Sequence, residues 1–412
     1  MRTMPIVCRG VLATLVILVG SGCSDVPAPK DMPGGGAGGA GAGTSGSAGT
    51  ATGGSATGGS AVGGSATGGS ATGGSAGNPS GGSAGSGSTS PTGGTSGSAG
   101  NATGGAPAGG SGGSGAACGC APRVGSCTVF PHDDTWNRDV SAAVADRTWT
   151  DRIHALVGSV NIHPDYGVDG STLYGIPINV VPASQQTVPI IFDWYEDESD
   201  PGPYPFPGPS QISIEGQSPM ACDGDCHVIV VQEGSCTLFE GYACEYQNNG
   251  WHCGNGAKWD LTRTSYGQRP EGWTSADAAG LPIMPGLVRY AEVRAGAINH
   301  AIRFTLPCTR PNYVAPGSHY AVPPSCNEND PNAPPMGIRM RLRSDFNDSS
   351  FPASARVVTT AMKRHGIILA DNGSSFYFQG DANPGWTEDD IEPLKDIPAS
   401  AFEAVEVPPL EP

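Results

Sequence analysis

The sequence predicts a mostly β fold, a disulfide-stapled β-sandwich or barrel-like domain with long loops and a few short helices. Three observations point there. The β-prone runs are short, and prolines or glycines separate nearly all of them. Ten of the twelve cysteines fall between residues 118 and 412, an even number that reads as up to five disulfides in an oxidising compartment. Helical periodicity is confined to a few brief stretches.

In chain order, Phe130 to Trp136 opens the domain with turn chemistry, and Trp149 to Val157 reads as a helix ended by Gly158. Strands are expected at 176–181, 188–194, 212–214, 287–293, 298–305 and 338–342. A hairpin is expected in the middle. His227 to Val231 and Cys236 to Glu240 are β-prone, and Glu233-Gly234 between them suits a tight primed turn. A two-residue turn pairs 227 with 240, 229 with 238 and 231 with 236, which sets His227 across from Glu240. A helix over Pro352 to His365 puts Ala355, Val358, Met362 and His365 on one face, with Gly366 placed to end it. Residues 367–370 then form a strand, 371–373 a turn and 376–378 the partner strand. Thr387 reads as a helix N-cap followed by three acids.

Upstream of this domain the chain changes character. Arg2 and Arg9 flank an apolar run, Gly10 to Val19, that is too short to span a bilayer, the layout of a secretory signal over residues 1–22. Gly20-Ser21-Gly22-Cys23 resembles the lipobox of bacterial lipoprotein precursors. That resemblance implies lipidation of Cys23, a mature N-terminus over 23–33, a bilayer contact through the Cys23 anchor only, and a cell-envelope location on the outer surface. Residues 34–117 carry no charge and include tandem ATGGS repeats. Without a large apolar face the repeats cannot offset the entropy of ordering their backbone, so they read as a disordered tether spanning on the order of 50 Å. Residues 118–412 are expected to form a single globular domain. Within it, GWTSADAAGLPIMPGLVRY (272–290) and HAIRFT (300–305) resemble blocks of secreted bacterial domains, a likeness that implies no activity.

The formal net charge of −17 excludes nucleic acid and anionic membrane surfaces as partners. Two clusters point to carbohydrate instead. The first is Asp225, His227, Glu240 and Asp260, with His252 nearby; glycoside hydrolysis needs two carboxyl groups in opposite protonation states, and a lyase needs a base such as histidine. Glu240 and Asp260 are the expected acid and base, with His227 tuning or replacing one of them. The structural alternative is an ion pair at a hairpin end, with Asp225 and Asp260 as turn residues. The second cluster is aromatic: Trp194, Tyr204, Trp251, Trp259 and Trp273 lie among acids, Asn and Gly, the mix on which sugars stack and hydrogen-bond, or else the filling of a core beneath long loops.

Arg339, Arg341 and Arg343 alternate along one strand face, so Arg341 and its neighbours would meet an acidic polysaccharide or pair with the chain's own acids. Ser275 within Thr274 to Asp277 lacks a Gly-x-Ser-x-Gly setting and reads as a turn residue. His300 alternates with Ile302 and Phe304 and reads as a core histidine. Zinc at Cys222, Cys226 and His227, or at His252-Cys253, competes with the disulfide reading. Calcium is conceivable at Asp223 to Asp225 or Asn327 to Asp330 but is not assigned, and no other cofactor is expected. The sequence therefore describes a cell-surface lipoprotein whose domain binds polysaccharide or envelope glycan and, if catalytic, cleaves it as a hydrolase or lyase. The alternative is a non-catalytic module adhering to glycan or to an envelope partner.

Overall fold

Strands that alternate polar and apolar residues assemble the larger of two main sheets. In the computed structural model the described residues are 121–216, 218–221 and 224–411. The signal peptide, Cys23, the tether, Cys118, Cys120, Cys222 and Asp223 lie outside them. The large sheet has seven strands in the order Ala145–Asp146, Phe402–Val405, Arg339–Leu342, Ile367–Asn372, Ile302–Leu306, Tyr377–Gln379 and His163–Asp165. Its centre is parallel, with Ile302–Leu306 beside Ile367–Asn372. The strand pair at the 163–165 edge is parallel too. The expected helices appear as Arg147–Val157 and Ala353–Arg364, the first packing on Phe402–Val405 and the second on Arg339–Leu342. Both expected glycine terminators, Gly158 (φ 66°) and Gly366 (φ 77°), have left-handed backbones. Thr387 and Asp390 form a capping box at Glu388–Ile391.

The smaller sheet runs Asn255–Asp260, Thr237–Tyr242, Val228–Gln232, Ile178–Val181, antiparallel except for its last pair. It is buried on both faces. Ile229, Val231, Leu238 and Trp259 join the main core that includes Phe304, Phe376 and Phe402. Val228, Val230 and Phe239 pack into a second core with Tyr204, Phe206 and Trp251. The domain is thus mostly β, built of open sheets, with no closed barrel among the described residues. All described residues belong to one unit.

Disulfides join Cys127 to Cys236, Cys244 to Cys253 and Cys308 to Cys326, and Cys226 is disulfide-bonded as well. This pattern fits an exported, non-cytoplasmic chain, and it takes Cys226 and Cys253 out of any zinc site. No described helix is long and apolar enough to cross a membrane.

Besides 212–214, which form no strand, three expectations need correction. The hairpin turns through four residues, 233–236, so that Val231 faces Leu238 and Ile229 faces Glu240. The Cys127–Cys236 disulfide and the 2.8 Å bond from the Ser126 N–H to Glu233 tie this loop down, and Gly234 and Cys236 both adopt positive φ. A slip of two keeps every side chain on its expected face while changing its partner. His227 therefore lies against the ring of Tyr242, at 5.8 Å between centroids, and not across from Glu240. Second, the run 287–293 leads into a helix, Tyr290–Ala295, because Ala, Glu and Arg favour helix there and Gly296 supplies a left-handed cap. Third, 367–372 and 377–379 are not hairpin partners: Ile302–Leu306 lies between them and takes the hydrogen bonds of both.

Candidate active site

The register of the large sheet explains why the polar residues of four strands meet. Thr305 pairs with Tyr377, and Tyr377 with His163. On the other side, a bulge after Phe304 skips Ala370, so Thr305 comes beside Asp371. Asp371, Thr305, Tyr377 and His163 thus form one row across a single face. Two residues along each strand, on the same face, lie Arg303, Gln379 and Asp165, with Gln379 paired to Asp165. The opposite face carries Phe304 and Phe378, which are buried in the main core.

These two rows floor a cleft of about 680 Å³ whose facing wall is Glu215, Gly224, Asp225 and His227, from the segment that enters the small sheet. The Gly167–Asp169 and Thr172–Tyr174 ribbon and the 387–395 region close its sides.

Within the wall, His227 is buried and doubly engaged. Its Nε2 lies 3.1 Å from the Ala276 carbonyl, which can only accept, so Nε2 carries a proton. Its Nδ1 lies 2.5 Å from a carboxylate oxygen of Glu215. Burial works against a charged imidazole, but the Glu215 carboxylate outweighs it and raises the His227 pKa to about 9. Glu215 responds in the other direction: burial pushes its pKa up, yet the charge and hydrogen bonds of His227 hold it below the ordinary value. Beside this pair, burial, reinforced by the Glu215 charge, lifts Asp225 to about 6 even though His227 pulls it down. Burial and Glu215 also raise Asp165.

Arg303 anchors the floor. Its Nε and one terminal nitrogen bond both oxygens of buried Asp277 at 3.0 and 2.5 Å, and it approaches Asp371 at 3.8 Å. Burial and the Asp277 charge drive Asp371 well above the carboxylate range. The cleft therefore sets Glu215, whose carboxylate form is favoured, against carboxyl groups that hold their protons more tightly than usual, the separation that lets one site supply both an acid and a base.

Of the residues expected from sequence, Asp225 and His227 are in this cleft, and Glu240 and Asp260 are not. Glu240 and Asp260 sit on opposite faces of the small sheet, since Glu240 is in register with Ala257 and Asp260 with Thr237. Glu240 has 0% exposure and accepts the backbone N–H groups of Ile283 and Met284 at 2.9–3.0 Å. Burial raises its pKa to about 7. Asp260 caps its own turn, accepting from the N–H and hydroxyl of Thr262 at 2.9 and 2.6 Å. His252 pairs with Asp193 at 3.2 Å.

The aromatic platform disperses as well. Tyr204, Trp251 and Trp259 are core residues. Trp273 is half-buried beneath the Arg269 guanidinium, and Trp194, 63% exposed, stands edge-on to Tyr242. None of the five lines the cleft. Arg341 pairs with Glu403 at 2.6 Å, Arg343 with Asp345 at 3.2 Å, and Arg339 bonds the His365 carbonyl at 2.8 Å, so this ladder serves the fold. The Ser275 hydroxyl bonds the Leu281 carbonyl at 2.6 Å within a buried turn. His300 is a core histidine held by Glu292 at 3.0 Å. No group of three or more His, Cys, Asp or Glu among the described residues is arranged to hold a metal ion.

The residues missed in sequence are Asp165, Glu215, Arg303, Asp371 and Gln379. For Asp165, Arg303 and Gln379 the signal was present in HPD (163–165), IRFTL (302–306) and YFQ (377–379), each alternating polar and apolar residues with the polar set on one face. Compared with known proteins, the chain matches no family model, no curated protein and no solved structure.

Proposed function

We propose that the domain is a carbohydrate-active enzyme that cleaves glycosidic bonds by acid–base chemistry in the cleft between the two sheets. Asp225 would donate a proton to the departing oxygen, and Glu215 would act as the ionised carboxylate, as base or nucleophile. His227 is a positioning residue: with both nitrogens donating, it has no lone pair for a proton and instead fixes Glu215 in its charged form. The observation that carries this reading is that Glu215, held by His227 at 2.5 Å, and Asp225 line one cleft with their pKa values displaced in opposite directions. Tyr174, exposed at the cleft side, and the stacked pair of His163 and Tyr377, 4.3 Å between centroids, offer ring faces for sugar C–H groups.

The setting inferred for this activity is the cell envelope, with the domain held at the outer surface by a lipidated Cys23 and the 34–117 tether. Turnover of soluble glycans by Asp225→Asn and Glu215→Gln tests the assignment. A loss of at least about 100-fold in kcat with binding retained supports it. Unchanged turnover rejects it, and glycan binding without turnover in the parent protein leaves the adhesion module.

A further inference from the structure

The same cleft has a charge balance that selects among glycans. Glu215, Asp225, Asp165 and Asp371 face into it. Its Arg, Lys and buried His cations among the described residues are each paired with a carboxylate. Arg303 is held by both oxygens of Asp277, His227 by Glu215, and Lys395 at the margin by Glu392 at 2.6 Å. A uronate or sulfate would find no unpaired Arg, Lys or buried His here among the described residues. A second and independent feature lies in the floor. Gln379 is 8% exposed, its amide bonds Asp165, and its Oε1 has no hydrogen-bond partner among the described residues. A buried amide oxygen left without a donor is unfavourable, so the site is incomplete until something brings an N–H or O–H to it.

We propose that the cleft takes a glycan carrying free amino groups, of the glucosamine-oligomer class, with an ammonium set among the carboxyl groups of the floor and one of its N–H groups meeting Gln379 Oε1. An ammonium brings three donors and a positive charge to a floor of carboxyl groups, and its charge favours their ionised, accepting form against the burial that raises their pKa. The stacked His163 and Tyr377 rings beside Gln379 supply the contact that a pyranose has and a simple amine lacks. The proposal rests on the reading of this cleft as a glycan site, but not on its being catalytic.

Calorimetry on the intact protein at pH 6, comparing tetramers of glucosamine, N-acetylglucosamine and glucose with tetralysine, tests it. The glucosamine tetramer is expected to bind at least about 10-fold more tightly than the neutral sugars and than tetralysine, and to weaken as salt is raised. Gln379→Met should cost the glucosamine tetramer several-fold more in affinity than it costs the neutral sugars. Equal binding of the three sugars overturns the amine preference, tetralysine binding as tightly as the amino sugar overturns the sugar part, and no binding of any probe overturns both. Neutral sugars cleaved in an Asp225-dependent way without an amine preference would sink this inference and leave acid–base cleavage standing. Tight glucosamine binding without cleavage would do the reverse.

Discussion

Glu240 and Asp225 are two carboxyl groups that burial pushes upward to similar values, about 7 and about 6, yet they belong to different kinds of site. Glu240 is sealed in the main core, and its oxygens are spent on two backbone N–H groups that hold the 283–284 segment against the small sheet. Asp225 borders an open cleft beside a carboxylate whose pKa is displaced the other way. The difference shows that a raised pKa marks burial and nothing more. Chemistry additionally requires access and a partner whose pKa has moved the other way.

The sharpest way to break this contrast is to neutralise one carboxyl in each region. Asp225→Asn is expected to lower kcat by about 10²- to 10⁴-fold with little change in unfolding free energy, whereas Glu240→Gln should leave the chemistry of the cleft in place and destabilise the fold. Activity assays and urea titrations on the two variants, run side by side, would show the reverse ordering if the regions had been confused.

Next in size is Arg303→Met, which strands the buried Asp277 charge. It should cost about 3–5 kcal/mol in denaturant unfolding, and a cost below about 1 kcal/mol would mean that Asp277 is not sealed. A comparable loss, about 2–5 kcal/mol, is expected when the Cys127–Cys236 bridge is removed as a double serine variant, since it closes a loop of sequence separation 109.

Smaller is Glu240→Gln itself, about 1–3 kcal/mol at pH 5, because the amide NH2 would stand where Oε2 now accepts from the Ile283 N–H, donor against donor. The pH dependence sharpens the comparison further. Glu240 binds its proton more tightly folded (about 7) than unfolded (4.5), so its contribution to stability is complete below pH 4.5 and is lost as pH rises through about 7. Asp225 acts in the same direction, from 3.8 to about 6. The wild-type protein should therefore lose stability between pH 5 and pH 8, and Glu240→Gln should flatten that slope. An unchanged slope in the variant would show that the burial of Glu240 has been misjudged.

Much of the fold was legible in the sequence because local signals carried it. Gly158, Gly366 and Thr387 mark helix ends by backbone chemistry that needs no tertiary context. The hairpin strands were legible too, but not their pairing, since the width of the 233–236 loop depends on a disulfide to Cys127, far away in sequence. The same limit explains the site. Asp225 and His227 stood out as polar residues beside a β-prone run, and the chain brings them to the cleft. Glu215 lies in an irregular segment with no periodicity to single it out. Asp371 reaches the cleft face because a bulge skips Ala370, and the sequence around it carries no mark of that bulge. Glu240 and Asp260 were joined by proximity in sequence, although strands in register sent them to opposite faces of one sheet.

The opposite displacement of the Glu215 and Asp225 pKa values can be measured without a substrate, by following their side-chain carboxyl carbons by NMR as pH is varied, in the wild type and in His227→Gln. The account predicts that Asp225 titrates near 6 and Glu215 below the usual glutamate range, with Glu215 moving upward when His227 is replaced. Both groups titrating together in the ordinary carboxylate range, unmoved by the loss of His227, would contradict it.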